Sequence, residues 1–452
     1  MPEMPEMHDV RDPQGDDAGA RMYALVEELY PICRSITGDG VRDTLARIER
    51  QLPAPMIRTE VASGTAVLDW TVPREWNIRD AWIADASGAR VVDFRASNLH
   101  VVNYSVPVRA RMSLAELRPH LHALPDHPDW IPYRTSYYAE TWGFCLRQRQ
   151  LDALPDGDYE VCIDATLAPG HLSYGELVLP GDAPDEVLLS THVCHPSLCN
   201  DNLSAIAVAA ALARELAARP RRRWTYRFVF APGTIGAITW LAQHREVAAR
   251  VRAGMTLVCL GSAHPFTYKR TLPGDAEIDR AVAVVLRDRG AGDHLIDFFP
   301  YGYDERQYNS PGFRVPVGSL MRGRHGMFPE YHTSADDLGF VSPERLAESL
   351  AVVRGIVDVL EGNRRYQNLA PDGEPQLGKR GLYRATGGTN IPDLNLAMLW
   401  VLALSDGRHS LLDIAERAKL PFASIRVAAD HLRDAALLAE LGTLATNETS
   451  GV

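Results

Sequence analysis

Cysteine is scarce in this sequence. Its six residues (Cys33, Cys145, Cys162, Cys194, Cys199 and Cys259) are scattered through 452 positions without a Cys-x-x-Cys pair. That scarcity argues against a disulfide scaffold and fits a reducing compartment. Long apolar runs are also missing, since no stretch approaches the roughly eighteen residues of a membrane span. The first twenty residues, MPEMPEMHDVRDPQGDDAGA, have neither the basic start nor the apolar core of a signal peptide. Basic excess is absent too: 58 acidic against 47 basic residues give a formal charge of −11. Such a balance disfavours nucleic acid or an anionic membrane as the main partner. The expectation from these absences is a cytoplasmic protein whose residues 1–20 form a disordered lead.

What is present is ordinary globular composition, 46% apolar and 23% charged, in a chain long enough for two or three domains. Residues 21–50 are largely helical in pattern, and 21–57 are expected to join 165–362 in one domain. From 58 to 164 short β-rich runs (TAVLDWTV, DAWIAD, ARVVDF, HVVNYSV) alternate with Gly, Asn and Pro turns, then give way to LPDHPDWIPYRTSYY. This predicts a small inserted β-rich domain. From 165 to 362 strand and helix patterns alternate: VLLSTH, NLSAIAVAAALARELA, WTYRFVFA, TIGAITWLAQHRE, MTLVCLG. The fold class is therefore α/β, a mostly parallel mixed sheet covered by helices. Ligands of such sheets bind beyond the carboxyl ends of strands, where His192, Gly233 and Ser262 fall. Residues 363–390 read as a Gly/Pro-rich linker. Three short helical patterns follow within 391–445 and resemble a winged-helix module.

The run LLSTHVCHPSLCNDN sets His192 at a strand end and Asp201 in a polar turn before a helix. One imidazole and one carboxylate so placed could chelate a metal; equally, His192 could bond a backbone carbonyl while Asp201 caps the helix. A second polar turn, FPEYHTSADD, adds Glu330, His332, Asp336 and Asp337 and shifts the balance toward a metal. Zinc suits such ligands. His195, Cys194 and Cys199 in the first loop are alternative ligands. Cys194 beside His195 also offers a nucleophile, with packing as the competing role.

THVCH (191–195), NDNLSA (200–205), YGYDERQYNSPGF (301–313) and PEYHTSADD (329–337) resemble, in order and type, the motifs of the co-catalytic zinc aminopeptidases and their glutaminyl cyclase relatives. The whole chain is similar to aminopeptidase-like bacterial proteins with an inserted β domain and a C-terminal winged helix, often encoded in polysaccharide or secondary-metabolite gene clusters. The resemblance implies zinc held by His192, Asp201 (as the bridge) and His332. Asp304 takes the place of the Asp in the family's Ser-Asp-His motif, and Glu305 that of its His. Two carboxylates are missing, because Gly233 stands where relatives place an acid after the third strand and Ser262 where they place an Asp. The ligands that remain suffice for one zinc, so the expected site is mononuclear. Glu305 and Glu330 are the acids available to replace the lost base, and Asp304 could receive a substrate amino group. Arg306, Gln307, Asn309, Thr267, Tyr268 and Lys269 are candidate substrate contacts. Trp70, Trp76, Arg134, Tyr137 and Tyr138 of the insertion could wall the site.

Three functions stay open on this reading. The first is zinc-dependent hydrolysis of an amide or peptide bond in a small amino-acid-like substrate, in the biosynthetic setting that the resemblance implies. The second is single-zinc aminoacyl transfer or condensation, and the third a non-catalytic binding protein with a decayed site. The last helix of the C-terminal module carries Arg426 and Arg433 but also Asp430 and Asp434, too neutral a face for DNA. Homo-oligomer contacts or packing on the catalytic domain are the expected use of this module.

Overall fold

The computed structural model describes residues 13–290, 292–382 and 393–442. It divides into two compact units, residues 1–274 with 294–351, and residues 275–293 with 352–452.

The first unit is built on an eight-stranded sheet. Its spatial order is Ile57–Ala62, His171–Leu179, Thr225–Ala231, Glu186–His192, Val251–Val258, Val317–Arg322, Phe266–Lys269, His294–Ile296. The four strands from Thr225–Ala231 through Val317–Arg322 pair in parallel, with antiparallel strands on either flank. Their Val-, Leu- and Phe-rich sequences are buried almost throughout, as strands covered on both faces must be. Parallel neighbours need crossovers. The helices Ala205–Ala218 and Ile235–Gln243 supply two of them. The turns after three adjacent parallel strands thereby bring His192, Gly233 and Ser262 to one edge.

A four-stranded antiparallel sheet, Arg90–Asp93, Glu75–Ala84, Asp158–Ala168, Val108–Ser113, occupies most of the segment expected as an insertion and belongs to the same unit. Residues 100–106, expected as a strand, make only isolated bridges at Val101 and Asn103. Their backbone donors are spent on loops instead: Val102 N–H on Gly143 and Asn103 N–H on Arg134. The insertion then returns to the main sheet. Pro132 bridges Thr333, and Tyr133 N–H donates to the His332 carbonyl at 2.8 Å.

The first helix, Pro13–Leu29, starts inside the segment expected to be a disordered lead. Met22, Leu25, Val26 and Leu29 repeat at helical spacing and are buried, and that stripe holds the helix in place. Residues 1–12 of that lead lie outside the described residues.

The second unit contains the helices Glu277–Arg289, Asp393–Leu404, Leu411–Ala418 and Phe422–Asp434, with a three-stranded antiparallel sheet. Two expectations change here. The third helical pattern ends at Asp434, and Leu438–Glu440 is a strand. Arg365–Asn368, read as linker, is the central strand of this sheet, with Tyr366 buried. Four residues were too short to stand out against the Gly/Pro composition around them. The rest of that linker from 383, and the start of the winged-helix segment to 392, lie outside the described residues, as do 443–452. Among the described residues, no helix is long and apolar enough to cross a membrane.

Candidate metal and substrate site

The site grows from the Asn200-Asp201-Asn202 turn. Asn202 fastens it to two strand ends, donating to Thr191 Oγ1 at 2.7 Å and to the Leu257 carbonyl at 3.2 Å, and accepting from Cys259 N–H. Asn200 Oδ1 accepts from Gly261 and Ser262 N–H. Asp336, from the second polar turn, accepts the Asn200 and Asp201 amides at 2.6 and 2.9 Å. Burial pushes its carboxyl up to about 8 against the pull of those two hydrogen bonds. Both the Asp201–Asn202 and Gly233–Thr234 peptides are cis.

Three imidazoles converge on the fully buried Asp201 carboxylate. His192 Nε2 lies 2.8 Å from Oδ1, and His332 Nε2 lies 3.0 Å from Oδ2. His195 Nε2 lies 3.8 Å from Oδ2. Two donors each about 2.0 Å from one tetrahedral zinc sit roughly 3.3 Å apart, so these separations suit a shared ion. His192, His195 and Asp201 keep their ligand atoms within 4.8 Å of one another. Burial drives His195 well below the ordinary imidazole range, reinforced by His192, His332 and Arg34 and opposed by Asp201. Burial alone would raise Asp201, but the facing histidines hold it well below the usual carboxylate value. A neutral imidazole and an ionised carboxylate are the forms that bind metal. The donor set therefore fits zinc, and His195, only an alternative in the sequence, stands beside the three expected ligands.

Beside this cluster is a cleft of about 230 Å³. Its wall from the insertion is Tyr133, Thr135 and Tyr137; Gly233, Thr234, Tyr303 and Arg306 line the other side. Tyr133 packs against His195 and His332, each at 5.1 Å between ring centroids. Of the wall expected from the insertion, Tyr137 lines the cleft. Trp76 is core, its Nε1 donating to Ser105, and Trp70 and Tyr138 form an exposed pair. Arg134 is exposed, and its guanidinium lies 3.3 Å from His122 Nδ1.

Tyr303 explains what Gly233 does. A Cβ built on Gly233 would lie 2.7 Å from Tyr303 Cζ and Oη. The ring occupies the space an acid there would need, tilted over His192 at 3.9 Å. Gly233→Glu is expected to cost about 1–3 kcal/mol by overpacking. Zinc per chain should not rise unless Tyr303→Ala is made as well. Urea unfolding and metal analysis of the single and double variants check this, and a second ion in the single variant would refute it. Ser262 is buried with its Oγ 3.1 Å from His264 Nδ1.

Several expected site residues have other work. Glu305 and Lys269 form a fully buried ion pair. Lys269 also donates to the Phe299 and Tyr301 carbonyls at 3.2 and 3.1 Å, while Glu305 accepts Tyr303 N–H. The chain crosses this pair at Gly302, where a Cβ would collide with both charged ends. Glu305 is thus no free base and Lys269 no substrate contact; burial commits each charge to the other. Tyr268 is buried with its ring over Gly318. Thr267 is buried in its strand, and Asn309 is spent on the Glu305 and Val317 carbonyls. Asp304 is buried beside Glu305, and burial, then that neighbour, keeps its carboxyl well above the ordinary range despite Arg306. Asp304 does not line the cleft, so it is not placed to receive a substrate amino group. Glu330 and Gln307 lie in the matching turns but do not line the cleft. Burial likewise lifts the Cys194 thiol to about 12, so it is no activated nucleophile.

The fold and this cluster define a protein of the zinc-aminopeptidase fold with a C-terminal winged helix. The zinc aminopeptidase of Bacillus subtilis superposes with a TM-score of 0.56 at 14% identity, over 76% of this chain and 95% of that one. An M28 peptidase precursor from Shewanella amazonensis gives 0.54 at 13%, over 77% and 95%. The chain belongs to the family described as "Domain of unknown function (DUF4910)", which matches residues 23–363; residues 364–440 match a winged helix-turn-helix family. It is 49% identical, over 93% of its length and 96% of the relative's, to a Clostridium acetobutylicum protein. That relative's name proposes polysaccharide biosynthesis and an aminopeptidase-like domain. A crystal structure from C. acetobutylicum whose name proposes a peptidase matches at a TM-score of 0.90 and 47% identity, covering 95% of this chain and 98% of that one.

Proposed function

We propose that this protein is a zinc-dependent hydrolase of an amide bond in a small, amino-acid-like biosynthetic substrate, working with one ion. The observation that carries the reading is the convergence of His192, His195 and His332 on the buried Asp201. The ion, when bound, would polarise the scissile carbonyl and bring a water's pKa to about 7. The chain's own residues do the rest. Asp336 and Asn202 fix the ligand turn, as partners behind metal ligands commonly do. Tyr133, Tyr137 and Tyr303 line the cleft beside the cluster. The name of the C. acetobutylicum relative supports a biosynthetic setting.

Aminoacyl transfer at the same ion is the second reading, favoured by Tyr303 filling the space of the water-activating acid. The near-neutral helix Phe422–Asp434, whose Arg433 pairs with Asp430 at 2.8 Å, supports a homo-oligomeric rather than nucleic-acid role for the winged helix. Metal analysis after zinc loading should give close to one ion per chain. Hydrolysis of an amide panel should vanish with chelator and return with zinc. Two ions would end the mononuclear reading, and none the zinc reading altogether.

A further inference from the structure

The charge inventory of the cleft points away from the substrates of an aminopeptidase. An aminopeptidase substrate offers a free ammonium group, which a carboxylate in the cleft would pair with through charge-assisted hydrogen bonds. Among the described residues, no Asp or Glu lines the cleft. Asp304 and Glu305 are buried and do not line it. What the cleft does present is Arg306. Its guanidinium makes no hydrogen bond or ion pair among the described residues, and its Nε is buried and unpartnered. A half-buried guanidinium with no hydrogen-bonded partner, felt by the adjacent buried Asp304 carboxyl, can still bind a carboxylate through two parallel hydrogen bonds. The remaining walls are tyrosine rings, suited to an apolar acyl or side-chain group. At about 230 Å³ the cleft is smaller than the roughly 300–1,000 Å³ of drug-sized pockets, a size that suits one small unit of substrate beside the cluster.

We propose that the substrate is an N-acylated amino acid, with its free carboxylate paired to Arg306 and its amide placed against the His192–His195–His332 cluster. This rests on the amide-hydrolysis reading above and names its substrate class. Hydrolysis would add water across the amide C–N bond, leaving the acyl group as a carboxylic acid and the amino acid with a free amine.

The test is calorimetric titration of the full chain, with and without zinc, against N-acetyl-glycine, -alanine, -phenylalanine and -glutamate. The matching amino-acid amides, the neutral N-acetyl amino-acid amides and inorganic phosphate serve as comparisons. At least one N-acetyl acid should bind more tightly than its amino-acid amide and than phosphate. Arg306→Gln should weaken that binding about 10- to 100-fold, the worth of a hydrogen bond to a charged group, and Arg306→Lys should weaken it less. Binding of the neutral N-acetyl amides should weaken less than that of the acids in Arg306→Gln, and circular dichroism of the variant checks that it is folded. Tighter binding of the amino-acid amides, equal binding of phosphate, or no effect of Arg306→Gln would overturn the proposal. Zinc stoichiometry is read in the same samples. A chain that takes up no zinc on loading yet binds N-acetyl acids through Arg306 would sink the hydrolase reading and leave the anion site standing.

Discussion

Asp201→Asn is expected to abolish zinc binding while leaving the chain folded. The substitution keeps the side chain's size in a fully buried position, so packing is preserved. It removes the negative charge on which His192 and His332 converge. It also removes an acceptor: the amide offers one oxygen where the carboxylate meets His192 with Oδ1 and His332 with Oδ2. Changing a group behind a metal ligand costs about 10- to 100-fold in affinity, so losing the central carboxylate should cost more than about 100-fold. Competition of zinc between the protein and a chromophoric chelator gives the number, and circular dichroism checks the fold. An affinity within tenfold of the parent would show that Asp201 is not a ligand.

Lys269→Met is expected to destabilise the first unit by about 3–5 kcal/mol. Both members of the Lys269–Glu305 pair are fully buried. Removing one partner of such a pair leaves the other charge unpaired and out of water, and that penalty dominates. Two backbone carbonyls, of Phe299 and Tyr301, lose their donor at the same time. In Lys269→Met/Glu305→Gln no charge is stranded, so the double variant should recover part of the loss. Urea unfolding of the parent, both single variants and the double variant decides it. A loss under about 1 kcal/mol for Lys269→Met would mean that water reaches Glu305. Because Glu305 accepts Tyr303 N–H, the same change should loosen the ring over His192, and zinc affinity of the variants reports that effect.

Much of this was legible in the residues themselves. Apolar runs of β-branched and aromatic type gave the buried parallel strands, and polar turns after them marked His192, Asp201 and His332. Those signals are local. A strand buried on both faces and a turn of Asn and Asp announce themselves within a few residues. The short strands Arg365–Asn368 and Leu438–Glu440 did not. Pairing with distant segments makes them strands, and four residues carry no period of their own.

Which polar groups face the cleft was the part that sequence could not order. Within Tyr303-Asp304-Glu305-Arg306 the residue types alone favoured the acids as catalytic groups. Burial against Lys269 turned Glu305 inward and left Arg306 in the cleft, with Tyr303 over His192. Those assignments depend on which atoms a residue meets across more than thirty positions of chain, from Lys269 to Glu305 and from Gly233 to Tyr303. By itself the sequence determined a zinc-aminopeptidase fold and three of the residues that meet at its centre. The tertiary structure decided that His195 joins them, that a tyrosine fills the place of the missing acid, and that the open charge beside the site is positive. The reason is physical: a buried charge is defined by its partner, and here the partners come from other turns of the chain.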